Sequence, residues 1–405
     1  MFKMSDADLS QDLALLEKIV NMPSETNDIG GVTAVAKVLA DEFQKLGFQM
    51  NAFVNPNVDP MTKAPISADL IVGELKGTSS RFINIIVHAD TVFKALADGT
   101  VPTPFKIVDS VQRDVQIAIA GKRILGSGVG DDKGGTIVAL RGLKMYLAQG
   151  KPKYSLRVII STNEESGSPG HQITMAKFSP DAVAVLGLEP SGGGHVLRGR
   201  GGVHWYEVKV TGVEAHARVW HERGVNACLD LSLKLAKASE LTDYGRNLTV
   251  SVGTIAGGKR ANIVCGEATA IVDTRFADPA MDQAIEANFQ SIFMKPEVSS
   301  HDGAGRQSTT VMKTVAHMGA FIAPAASDAL RQHVINRIQQ IDSFAASANY
   351  SRGGADISMF DTPNAVMIDG LGPVTDGSHT PDEYILLETM RSRALIFADL
   401  LENIP

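Results

Sequence analysis

The chain has 405 residues, of which 44% are hydrophobic and 20% charged, and its formal net charge is −7. That balance fits a soluble globular protein long enough for two domains rather than one average core. The acidic excess argues against nucleic-acid and anionic-membrane partners, because phosphate binding draws on surplus Lys and Arg.

At the N-terminus, Asp6, Asp8 and Asp12 stand where a secretory leader would carry basic and then apolar residues, so a cytoplasmic chain is expected. Leu13, Leu16, Ile19 and Val20 recur at helical spacing and predict an amphipathic helix over 9–22. A turn at 23–27 leads to a second helix over 31–46, with Gly47 as its C-cap. Strands are expected at 48–54 and 68–75. Residues 82–87 are nearly all apolar, as in a sheet covered on both faces, and His88 and Asp90 follow at once. Residues 91–123 read as loops and short strands broken by Pro102 and Pro104. The stretch 126–135, GSGVGDDKGG, then precedes a helix reaching 149. Strands at 155–161 and 182–188 run into Asn163-Glu164-Glu165 and Glu189-Pro190. Helices alternating with apolar strands indicate an α/β layered domain with a mixed central sheet.

Residues 191–202, SGGGHVLRGRGG, read as a hinge. Beyond them a strand at 203–211, a helix at 224–239, strands at 248–253 and 268–275 and a helix at 282–293 suggest an inserted α+β domain, closed by the polar 299–310. Cys228 and Cys265 are the two cysteines; they make no disulfide framework and are expected to be reduced. A helix at 328–340, a strand at 365–369 and a helix at 383–401 resume the first domain. The expected division is 1–200 with 312–405, and an insert over 201–311. No apolar run approaches the ~18 residues needed to span a bilayer.

The chemistry-bearing residues are ambiguous one at a time. His88 and Asp90 at a strand end could hold a metal or simply cap the strand. Asp131-Asp132 among glycines could be a metal site or a helix N-cap. A phosphate loop fails there, since neither G-x-x-x-x-G-K-[ST] nor a complete G-x-G-x-x-G is present. Glu164-Glu165 could pair a ligand with a free base, or form a solvated cluster. Glu189 repeats that pattern after the next strand, and His379 lies in a loop of small residues. Taken together, His88, Asp131, Glu165, Glu189 and His379 are two histidines and three carboxylates from separate segments. That set suits two zinc-like ions sharing one carboxylate.

The segments VHADTV, GSGVGDDKGG, STNEESGS, LGLEPS, VTGVEAHA and DGSHTPDE, in this order, resemble the di-zinc metallopeptidase and aminoacylase family. That family includes succinyl-diaminopimelate desuccinylase and acetylornithine deacetylase, and the texture is closest to its glutamate carboxypeptidase-like members. The resemblance covers nearly the whole chain. It implies Asp131 as bridging ligand, His88 with Glu189 on one Zn2+, and Glu165 with His379 on the other, with Co2+ or Mn2+ able to substitute. It implies Glu164 as general base and acid, Asp90 as the residue orienting His88, and a cis Asp131–Asp132 peptide. The insert matches the family's lid or dimerisation domain, so a homodimer is expected. His216 would stabilise the oxyanion of a neighbouring site, and Asn262 and Arg275 would lie near the substrate.

Two departures stand out. Ala323 occupies the place of the arginine that holds the substrate carboxylate in glutamate carboxypeptidases. The loop expected to read Gly-Gly-Thr-Asp is Gly353-Gly354-Ala355-Asp356, with Arg352 before it as an alternative donor and Gly354 beside the substrate. The implied reaction is carboxypeptidase-like hydrolysis of an amide bond beside a free carboxylate, in small peptides or N-acyl amino acids. An N-acyl-amino-acid amidohydrolase, a dipeptidase, a metal-free amino-acid- or peptide-binding relative and a nucleotide-dependent enzyme using the glycine-rich loop are the alternatives.

Overall fold

A computed structural model describes residues 2–58, 64–109, 121–190 and 193–405. The chain divides into two compact units. The first comprises Met1–Gly199, Ile322–Ser351 and Ala355–Pro405, and the second Arg200–Phe321 with Arg352–Gly354.

The first unit is built on a six-stranded mixed sheet. Its strands run in the order Gln49–Phe53, Leu70–Leu75, Ser155–Ser161, Phe82–His88, Ala182–Gly187 and Val366–Ile368. The first two pairings are antiparallel and the last three parallel. Every residue of Phe82–His88 and Ser155–Ser161 is buried, as in a sheet covered on both faces, including Asn84 and Arg157, which bond each other. Helices Asp6–Val20, Ile29–Lys45, Gly135–Leu147, Asp328–Asp342 and Leu387–Glu402 share one apolar core with these strands. Ser5 starts the first helix through a reciprocal capping box with Asp8, and Asp28 caps the second. Helix Gly135–Leu147 is buried from Gly135 through Leu143, including Arg141, whose guanidinium pairs with Asp8 and Asp12.

The second unit holds a four-stranded antiparallel sheet, in the order Thr249–Gly257, Glu267–Phe276, Gly202–Thr211 and Thr309–Met318. Burial alternates residue by residue along Glu267–Phe276, so one face carries the core. Helices Ala227–Ser239 and Met281–Phe293 supply the rest of that core.

Four expectations are corrected. Strand Thr309–Met318 pairs with Gly202–Thr211, so the second unit runs past the expected boundary at 312. Val196–Arg200, read as hinge, forms a strand; Leu197 bonds Asp369, while residues 191–192 lie outside the described residues. Tyr384–Leu386, read as the first turn of the last helix, pairs instead with Arg123–Leu125. Cys228 and Cys265, expected as separate thiols, are joined as a disulfide with Cα atoms 5.7 Å apart. Of the excursion at 91–123, residues 110–120 lie outside the description, and the rest contains strands Lys106–Val108 and Arg123–Leu125. Among the described residues no helix is long and apolar enough to cross a membrane.

Candidate metal centre and active site

Three neighbouring parallel strands bring charged groups to one sheet edge. His88 ends its strand opposite Ser161, whose strand continues to Glu164 and Glu165. Gly187, paired with Ile86, is followed two residues on by Glu189. The carboxyl edge of an open α/β sheet is where loops of different strands converge on a ligand. The glycine-rich stretch adds Asp131, after Gly128 turns the chain through a left-handed φ of 70° and before a cis peptide bond to Asp132. His379 is presented from its loop at a left-handed φ of 65°.

Asp131 is the junction. Its Oδ1 lies 3.0 Å from His88 Nε2 and its Oδ2 lies 3.2 Å from His379 Nε2. Glu189 Oε1 approaches the same His88 nitrogen at 3.3 Å, and Glu165 Oε2 the same His379 nitrogen at 3.1 Å. Two groups of three donors result, His88–Asp131–Glu189 and Asp131–Glu165–His379, each with its donor atoms within 4.8 Å of one another. Two nitrogen or oxygen ligands on a tetrahedral zinc-sized ion are about 3.3 Å apart. The donor sets therefore fit a divalent ion in each group, and the three carboxylates outnumber the two imidazoles that face them.

The electrostatics point the same way. Burial would raise the Asp131 carboxyl, but its bonds to His379 and His88 outweigh burial and hold it well below the usual carboxylate range. Burial and the Asp131 charge push Glu165 up to about 7. The bonds to Asp131 and Glu165 raise His379 to about 10. Glu164 is buried, and its carboxyl lies well above the ordinary value because of burial first and Glu189 second. A protonatable carboxyl beside an anionic ligand cluster is suited to move protons near neutral pH.

Asp90 meets His88 and also a second set of partners. His88 Nδ1 is nearest the Asp90 main-chain carbonyl, at 3.0 Å, with the carboxylate at 3.5 Å. The Asp90 carboxylate accepts the Glu164 amide at 3.1 Å, the Glu165 amide at 3.2 Å and the Thr26 hydroxyl at 2.8 Å. It thereby ties the Glu164-Glu165 turn to the His88 strand.

Three contributors were not singled out from the sequence. Glu383, almost wholly buried, accepts amide N–H groups from Gly128 at 3.0 Å, Gly130 at 2.7 Å and Asp131 at 3.0 Å. One carboxylate thus pins the glycine-rich turn that carries Asp131. Burial pushes Glu383 up to about 8 against the pull of those amides. Its sequence signal is only its place four residues after His379 in SHTPDE. Asp356, in the loop that departs from the family pattern, accepts the Ser168 hydroxyl at 2.5 Å, and Ser168 meets Ser161 at 3.1 Å. Gly135 opens the helix where a Cβ would lie 1.9 Å from Asp132 Oδ1 and 2.1 Å from the Leu188 carbonyl.

The remaining expected residues belong to the second unit. His216 is exposed, and its Nδ1 accepts the amides of Arg218 and Val219 at 3.2 and 3.3 Å. Asn262, also exposed, accepts the Ala217 amide through its carbonyl, so His216 and Asn262 lie on adjoining segments. Arg275 pairs with Asp273 at 2.8 Å, the structural ion pair that competes with a substrate role. Arg352 is exposed, and the Gly354 carbonyl accepts from Arg200 at 3.3 Å.

Comparison with known proteins bears on this geometry. Residues 85–403 match the model of peptidase family M20/M25/M40. Carboxypeptidase G2 from Pseudomonas sp. strain RS-16 is 26% identical over 398 residues, covering 96% of this chain and 88% of that protein. A tripeptidase from Staphylococcus aureus subsp. aureus Mu50 shares the fold at a TM-score of 0.70 and 20% identity, covering 98% of both chains. The YXEP protein of Bacillus subtilis, a dinuclear metal binding peptidase, shares it at a TM-score of 0.61 and 14% identity, covering 98% of both chains. With a family match spanning most of its length and grouped metal-ligand side chains at the sheet edge, this chain belongs to peptidase family M20/M25/M40 and is a metal-dependent peptidase or amidohydrolase.

Proposed function

We propose that the protein hydrolyses an amide or peptide bond beside a free carboxylate, in small peptides or N-acyl amino acids, using two divalent ions of the zinc class. The observation that carries this reading is the division of the Asp131 carboxylate, one oxygen toward His88 and Glu189 and the other toward His379 and Glu165. The similarity to carboxypeptidase G2 and to a dinuclear peptidase supports it.

His88, Asp131 and Glu189 would hold one ion, and Asp131, Glu165 and His379 the other. When bound, such ions polarise the scissile carbonyl and lower the pKa of the attacking water. Glu164 takes the proton of that water and passes it to the leaving amine, which its raised pKa suits. Asp90 is a positioning residue that sets the main chain of Glu164 and Glu165 through two amide bonds. Glu383 does the same for Asp131. In a homodimer formed through the second unit, His216 would stabilise the oxyanion in the neighbouring subunit's centre. Asn262, Arg275, Arg352 and Gly354 would contact substrate there. Ala323 in place of an arginine disfavours a strict preference for C-terminal glutamate.

The test is a hydrolysis screen of N-acyl amino acids, dipeptides and glutamate conjugates with protein stripped of metal and reloaded with Zn2+, Co2+ or Mn2+. Hydrolysis of a carboxylate-bearing amide that depends on added metal supports the reading. Retention of less than about one ion per chain, with no activity on reloading, overturns it. Mixing His216→Ala with Glu164→Ala subunits tests the oxyanion role: partial recovery of activity supports it, and none in a proven mixed dimer refutes it.

A further inference from the structure

A second group of metal-ligand side chains lies within the second unit, and it is independent of the reading above. His204 is on strand Gly202–Thr211, His317 on strand Thr309–Met318, and Asp282 in the first turn of helix Met281–Phe293. The two histidines are directly opposite each other across the antiparallel pair. Side chains in that relation lie on one face of the sheet with Cβ atoms about 5 Å apart. Their rings are 4.5 Å apart between centroids and tilted by 53°. Asp282 Oδ1 lies 2.7 Å from His204 Nε2 and 3.0 Å from His317 Nε2. The three donor atoms all fall within 4.8 Å of one another.

The hydrogen bonds around His204 define its role. The ring is only 2% exposed, with Phe276 packed edge-on at 5.0 Å. Its Nδ1 lies 2.7 Å from the Tyr206 hydroxyl, and that hydroxyl is itself bonded to Glu286. A carboxylate only accepts, so Tyr206 donates to Glu286 and accepts from His204 Nδ1. The buried Nε2 of His204 faces Asp282 Oδ1 at 2.7 Å; burial would raise the Asp282 carboxyl, but His204 and His317 hold it well below the usual carboxylate range. With its outer nitrogen fixed by a neighbour, the imidazole is held so that its other nitrogen faces the carboxylate, the way metal-binding histidines are commonly oriented. His317 and Asp282 are both part-exposed, which leaves a route for an ion and a place for a completing water.

We propose that His204, Asp282 and His317 form a binding site for a late divalent transition-metal ion such as Zn2+. Two imidazoles and one carboxylate are a donor set that Zn2+, Co2+, Ni2+ and Cu2+ accept and that Ca2+ and Mg2+ do not favour. The ion would fasten helix Met281–Phe293 to two strands of the sheet, and it would raise the thermal midpoint of the folded chain by mass action.

The test uses the full chain, stripped of metal and then equilibrated with excess Zn2+ or Co2+. After removal of unbound ions, metal content is measured for the wild type and for His317→Ala. The site predicts that His317→Ala holds about one ion fewer per chain than the wild type, whatever the wild-type total, and loses part of the Co2+ visible absorption. Turnover is unchanged. The count at the first unit is read separately from His379→Ala, so failure of either site is distinguishable from failure of the other. Should His317→Ala not fold, protection of His317 from carbethoxylation by Zn2+ in the unsubstituted chain is the readout. Equal metal content in the folded variant, or no protection of His317, overturns the proposal and leaves the group as a hydrogen-bonded His–Asp–His cluster.

Discussion

Gly135→Ala places one methyl group where two parts of the centre meet. Its Cβ would lie 1.9 Å from Asp132 Oδ1 and 2.1 Å from the Leu188 main-chain carbonyl. Ordinary carbon–oxygen contact needs more than 3 Å, so each neighbour must retreat by about 1 Å. Asp132 is buried and follows Asp131, and Leu188 immediately precedes Glu189. Overpacking at a buried site costs typically about 1–3 kcal/mol, and the second contact is backbone that cannot turn aside, so we expect the upper end. A displacement of about 1 Å at a catalytic group costs on the order of 100-fold in rate. The assay pairs denaturant unfolding of metal-free protein with kcat and metal content after reloading. Gly30→Ala serves as control. Its Cβ meets only Asp28 Oδ1, at 3.6 Å, within helix Ile29–Lys45, and it should be neutral or stabilising by up to about 1 kcal/mol. Wild-type stability, metal content and turnover in Gly135→Ala would refute the claim that this close approach shapes the centre.

Glu164→Gln should retain the metal content of the wild type while kcat falls by about 100- to 10,000-fold; loss of metal with full residual activity would contradict the division of roles. His171 gives a pH signature. Its ring is 1% exposed, neither nitrogen has a hydrogen-bond partner, and burial lowers its pKa from 6.5 to about 4. Between those values the unfolded chain binds a proton that the folded chain does not. Stability from this group is therefore full above about 6.5 and is lost as pH falls through about 4, a change on the order of 3 kcal/mol. Unfolding midpoints across that window should flatten in His171→Phe; an unaltered slope would show that His171 is not the group titrating.

The alternation of apolar runs with helical periodicity made the layered α/β unit legible. His88 at the end of one run, and Glu165 and Glu189 just beyond the ends of two others, were ambiguous singly and drew attention only as a set with Asp131 and His379. What the sequence hid is contact made at long range. Glu383 reaches back more than 250 positions to the Gly128–Asp131 backbone, and nothing in its neighbourhood signals a partner that is all main chain. Asp90 was read from its place beside His88, which its carboxylate meets at 3.5 Å, but its bonds to the amides of Glu164 and Glu165 depend on how two strands register. The same limitation explains Cys228 and Cys265. They are far apart in sequence and were expected as separate thiols, but a helix start and a strand approach bring them together. His204, Asp282 and His317 went unremarked because single polar residues on two strands and a helix look like ordinary surface until strand pairing and helix packing bring them together.

The most direct test of the proposal that Asp131 bridges two ions is an anomalous-scattering map from crystals of the zinc-loaded protein, recorded on either side of the zinc edge. Two peaks flanking the Asp131 carboxylate are predicted, one beside His88 and Glu189 and the other beside Glu165 and His379. A single peak there, or ions bound without Asp131, would contradict it.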